Sequence, residues 1–154
     1  MKKLYVCLLI CLFTVSANAT VISDLQYQTQ SGQLFTHNLA GPASDGSSGV
    51  LSIHVRGDFF SGGQHNENYA TAIDLNVLGS GISFDSAGAY NVTEHGFNDK
   101  EFYVDFLISG IDLVSIMSDL LAVVTVDFGS GTGAFSSSYF SEASLSYTGT
   151  TAVP

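Results

Sequence analysis

The chain has no tryptophan, two prolines and two cysteines, and four lysines and arginines against fourteen aspartates and glutamates. Each scarcity excludes something. Both cysteines, Cys7 and Cys11, lie in the first nineteen residues. If that segment is removed, the remainder has no disulfide, no thiolate metal site and no cysteine nucleophile. Beyond it, Arg56 and Lys100 are the only fixed cations, and so acidic a surface repels phosphate backbones and anionic lipids. Nucleic acid is therefore excluded as a partner. The ring on which sugar-processing clefts usually stack is also missing. No GxSxG elbow, P-loop, dinucleotide fingerprint, HExxH or EF-hand spacing occurs, and no unit of 20 to 50 residues repeats.

The N-terminus has the form of an export signal. Lys2 and Lys3 precede an apolar stretch over residues 4–15, and Ala17-Asn18-Ala19 has the small-x-small pattern of a cleavage site. The expected organisation is a signal peptide over 1–19, one domain over 20–148 and a linker or tail over 149–154. Ile10 before Cys11 does not suit a lipoprotein signal, so no stable membrane anchor is expected. An exported chain without disulfides fits a bacterial envelope or extracellular route.

What is present is alternation. Leu25, Tyr27 and Thr29 suggest a first strand and residues 33–38 a second, and Pro42 marks the stretch over 39–49 as a loop. Leu51, Ile53 and Val55 alternate with polar residues, as do Tyr69, Thr71, Ile73 and Leu75 after a polar loop, so residues 49–79 read as a hairpin. In that hairpin Arg56 is expected to pair with Asp74 across the strands. Phe102, Val104, Phe106 and Ile108 mark a central strand. Residues 111–119 suit one or two helical turns. Ala122, Val124, Val126 and Phe128, then Tyr139, Ala143, Leu145 and Tyr147, close the domain. Short strands, sixteen glycines and no long amphipathic helix predict an all-β antiparallel sandwich of jelly-roll type, with an immunoglobulin-like sandwich as the alternative.

Two polar clusters are candidate sites. Asp58 and Glu67 stand at the two mouths of the loop DFFSGGQHNEN, which also offers amide and backbone oxygens, a hard-ligand set suited to calcium. They are the candidate metal ligands, and calcium the candidate cofactor. Glu94 and His95, with Asp99 and Glu101, form the second cluster. The four histidines, His37, His54, His65 and His95, lie on separate segments, so a zinc site would have to be assembled across the fold. Tyr69, Tyr103 and Tyr139 are the candidate stacking platforms. No catalytic residue is nominated.

The segment VRGDFFSGGQHNENYATAIDLNVLG and the ending LSYTGTTAVP resemble the secreted jelly-roll β-domain proteins of the PEP-CTERM, exosortase-sorted class of Gram-negative bacteria. The sorting signal itself does not follow Val153-Pro154 in this sequence. The resemblance implies a secreted, extracellular module. The expectation is a non-enzymatic β-sandwich with a structural or adhesive role at the cell surface or in extracellular matrix, with surface polysaccharide as its partner. A carbohydrate-binding, lectin-like module is the alternative, and a secreted hydrolase the third reading.

Overall fold

The computed structural model describes residues 16–59, 69–73, 81–84, 90–96, 99–128, 132 and 136–151. Nine strands are present among them: β1 (Ser16–Tyr27), β2 (Leu34–Ala40), β3 (Gly49–Asp58), β4 (Tyr69–Ile73), β5 (Gly81–Phe84), β6 (Tyr90–Glu94), β7 (Asp99–Ile108), β8 (Leu121–Asp127) and β9 (Phe140–Thr151). They form a five-stranded sheet in the order β1-β9-β3-β7-β6 and a four-stranded sheet in the order β2-β8-β4-β5, with every pairing antiparallel. Up to β5 consecutive strands are not neighbours in the first sheet, and β1 to β4 alternate between sheets. That is the jelly-roll arrangement, with β6 added at one edge.

Period-2 patterning explains the two layers. On β3, Leu51, Ile53 and Val55 face inward, and so do Phe102, Val104 and Ile108 on β7 and Ala143, Leu145 and Tyr147 on β9. The opposing sheet contributes Phe35 and Leu39 from β2 and Ala122, Val124 and Val126 from β8. The intervening residues point outward. One end of this core is closed by aromatic edges: Phe128 lies 4.8 Å from Phe35 and 5.1 Å from Phe59, centroid to centroid.

The other end is closed by α1 (Gly110–Ile116) and the 3-10 turn Met117–Asp119, which bury Leu113, Ile116 and Met117. The Ser109 hydroxyl caps α1 by accepting from the Asp112 amide at 3.3 Å. Leu120, at φ 66°, ends the turn in the left-handed region and lets β8 start directly. Gly110 has no substitute, because a Cβ there would run into the carbonyl of Gly46.

One expectation is corrected. β3 and β4 are not paired as the expected hairpin over 49–79: β3 lies between β9 and β7 in one sheet, and β4 pairs with β8 and β5 in the other. Alternation identifies a strand and its buried face but not its neighbour, and in this topology β3 and β4 belong to opposite layers. The last strand also runs beyond Tyr147 to Thr151. Its final residues, Thr148 to Thr151, pair with Ser16 to Ala19, which lie ahead of the expected cleavage point. On their other side, Ser44 bridges to Gly149 and the Thr150 amide donates to the Ala43 carbonyl at 2.8 Å. The expected loop after β2 is thus tied along the end of β9.

Candidate functional site: the outer face of the five-stranded sheet

The register of β1, β9, β3 and β7 sets the outward side chains in rows. Tyr27, Phe140, Arg56 and Glu101 share one row, and Leu25, Glu142, His54 and Tyr103 the next. Ser23, Ser144, Ser52 and Asp105 form a third. Cross-strand neighbours on one face lie close enough to touch, as Tyr27 does Phe140, His54 both Tyr103 and Glu142, and Ser52 Asp105.

His54 is the hub. Its ring stacks on Tyr103 at 3.8 Å with 9° between planes and meets the edge of Phe140 at 4.7 Å. Its Nε2 is 2.8 Å from Glu101 and its Nδ1 3.4 Å from Glu142. A carboxylate only accepts, so the neutral ring donates to one of them and the protonated ring to both. The second oxygen of Glu101 lies 2.7 Å from His95 Nε2. Burial pushes the Glu101 carboxyl up, but the hydrogen bonds from His54 and His95 outweigh it and hold the group below the usual carboxylate range. Burial, then the nearby Glu101 and Glu142, push the Tyr103 phenol up, so it stays a neutral hydroxyl at ordinary pH.

Arg56 pairs with Asp99; Asp74, its expected partner, lies outside the described residues. Its Nε donates to Asp99 Oδ1 at 3.0 Å and its second terminal nitrogen to Oδ2 at 2.9 Å, a bidentate fork. The cause is the sheet order, since β7 runs beside β3 and β4 does not. Of the second expected cluster, His95 and Glu101 come together, Asp99 turns to Arg56, and Glu94 lies 3.8 Å from Lys100. His54 completes the group from a strand 41 residues earlier, and its signal in the sequence was only its outward position between Ile53 and Val55.

Asp58 ends β3 opposite Asp99. Glu67 and His65, and with Glu67 the expected calcium pair, lie outside the described residues. Among the described residues no group of three or more histidines and carboxylates is arranged to hold a metal ion. Of the candidate platforms, Tyr103 lies on the outer face and Tyr69's side chain is not described. Tyr139 is turned inward, because it continues the buried face of β9.

A further group was missed by spacing. Asp24, His37 and Ser141, from β1, β2 and β9, line up through His37: Nδ1 to Asp24 at 3.1 Å and Nε2 to Ser141 Oγ at 2.9 Å. Asp24 can only accept, so Nδ1 carries the proton, and the neutral ring accepts the Ser141 hydroxyl proton at Nε2. The order of groups is that of a serine-nucleophile relay. His37 and Ser141 are both fully buried between the sheets, and the group is a hydrogen-bonded core network. Burial holds His37 below its ordinary value, against the opposing effect of Asp24. Its legible signal was the alternation Phe35, His37, Leu39.

No helix among the described residues is long and apolar enough to cross a membrane. No protein-family model, curated protein or solved structure matches the chain.

Proposed function

We propose that this chain is an exported, non-enzymatic β-sandwich module that works by adhesion in extracellular matrix or at a cell surface, and that polysaccharide docks on the outer face of its five-stranded sheet. The observation that carries the reading is the Tyr103–His54–Phe140 ring group set among Glu101, Glu142 and the Arg56–Asp99 fork. Sugars are recognised by flat apolar rings against their C–H faces and by fixed acceptors and donors for their hydroxyls, and this face offers both on strands rather than loops. Tyr27, edge-on to Phe140 at 6.5 Å, extends the aromatic row towards solvent. The formal charge of −10 favours neutral or amine-bearing polymers over uronates. The burial of Ser141 supports the non-enzymatic part of the reading.

The test is affinity electrophoresis against a neutral glucan, chitosan oligomers and a polyuronate, with Tyr103→Ala and Glu142→Gln beside the unaltered chain. The expected result is retardation by the neutral or amine-bearing polymer, weakened about tenfold or more by either change. Migration unaffected by all three polymers overturns the binding face, and new reducing ends in the incubations overturn the non-enzymatic assignment.

A further inference from the structure

Sheet edges expose unpaired backbone groups and are ordinarily blunted by shortness, bulges, lysine, proline or a covering side chain. Of the four edges among the described strands, three are blunted. β6 has five residues, a register shift between Tyr90 and Thr93 and Asn91 at φ 52°. β5 has four residues. On β2, the Gln26 side-chain amide covers the Thr36 carbonyl at 2.7 Å.

The fourth edge is different. β1 runs for 12 residues in unbroken register with β9 and contains no lysine, arginine or proline. Cleavage after Ala19 would still leave the eight residues from Thr20. Its outward side chains include Val21, Leu25 and Tyr27, which are 68%, 46% and 56% exposed. Its one charge, Asp24, is turned inward and is engaged by His37 at 3.1 Å and by Gln26 at 2.7 Å. In a chain of formal charge −10, the outward side chains of this edge, Val21, Ser23, Leu25 and Tyr27, form an uncharged strip on which two copies can meet.

We infer that β1 is a self-association edge, pairing antiparallel with β1 of a second copy about a two-fold axis to make a continuous ten-stranded sheet. The register follows from side-chain chemistry. With Ser23 on the axis, Val21 of each copy lies opposite Leu25 of the other, and Asp24 lies opposite Ile22. The symmetric register one residue further along sets Asp24 directly against Asp24, which is unfavourable. Such an isologous contact closes on itself and gives a dimer. The inference goes beyond the polysaccharide reading. The two outer faces become one surface, so any ligand engaged by one copy is presented to both.

Sedimentation velocity of the purified exported chain at about 50 µM is expected to show a dimer, and Val21→Lys and Leu25→Lys each to raise its dissociation constant at least about tenfold. Leu107→Lys, on an exposed position of β7, is expected to leave it unchanged. In a Cys7→Ser, Cys11→Ser background, Ser23→Cys should form a disulfide-linked dimer under mild oxidation. Ser144→Cys should not, because its two copies would be separated by three strand spacings, about 14 Å. Circular dichroism checks that each variant is folded. A monomer at that concentration, a dimer indifferent to both β1 lysines, or equal cross-linking through Ser144→Cys overturns the inference. None of these readouts depends on sugar binding.

Discussion

Ser141→Ala tests whether the buried Asp24–His37–Ser141 network is a structural unit. The substitution removes one hydroxyl from a fully buried position and leaves no room for a replacement partner except water. His37 Nε2 loses its 2.9 Å donor and becomes a buried, unsatisfied acceptor, which costs about 1–3 kcal/mol. In a domain of this size that lowers the melting midpoint by about 3–5 °C per kcal/mol. His37→Leu should cost more, because Asp24 also loses a hydrogen bond. The double variant His37→Leu with Ser141→Ala should recover part of the loss, since removing both partners leaves neither of them unsatisfied. Asp24, still held by Gln26 at 2.7 Å, keeps a partner throughout.

The network also has a pH signature. Burial holds His37 below its ordinary value of 6.5, so the unfolded chain takes up this proton at a higher pH than the folded one. The stabilisation is fully present above about pH 6.5 and is lost as pH falls from there towards the folded value. Urea unfolding followed by circular dichroism between pH 4.5 and 8 measures both effects. Three results would refute the reasoning: a Ser141→Ala variant within ~0.5 kcal/mol of the parent, a double variant that is simply additive, or a pH slope below 6.5 that survives His37→Leu.

Three other outcomes are expected. Leu113→Ala, which empties the middle of the α1 plug, should cost about 2–5 kcal/mol in urea unfolding, whereas Val114→Ala on the exposed side of the helix should change stability by less than ~0.5 kcal/mol. Arg56→Met should cost about 1 kcal/mol, and a double-mutant cycle with Asp99→Asn should return a favourable coupling. Glu101, held below its ordinary 4.5 by His54 and His95 despite burial, contributes stability that is present above about pH 4.5 and lost as pH falls through its folded value. Carbon-detected titration of its carboxyl should show that low midpoint, and Glu101→Gln should flatten the acid limb of the stability profile.

The strands were legible and their partners were not. Phe102, Val104 and Ile108, and Ala122, Val124 and Val126, announced by alternation both a strand and the face it buries, and the structure buries all six. The short helix was legible because residues 111–119 break that alternation. The pairing of Arg56 with Asp99 was not legible because a period of two carries no information on which strand lies alongside, and β3 takes both of its neighbours from much later in the chain. The outer-face group shares this obscurity. His54, Glu101 and Glu142 are 47 and 88 residues apart by their contacts, and only the register of three strands makes them one site.

The pairing of β1 with β9 bears on how the chain reaches this state. Tyr27 faces Phe140 and Ser16 faces Thr151, so one of the largest seams in the sheet joins segments more than 110 residues apart. Contacts of such long sequence separation require loop closure before they yield any stabilisation, and they slow folding. The seam cannot form on a partly synthesised chain, because its second half is made last. Under the export proposed above, this delay is useful: until β9 emerges, β1 has no partner in its own sheet, and the domain has no complete structure to block passage across a membrane.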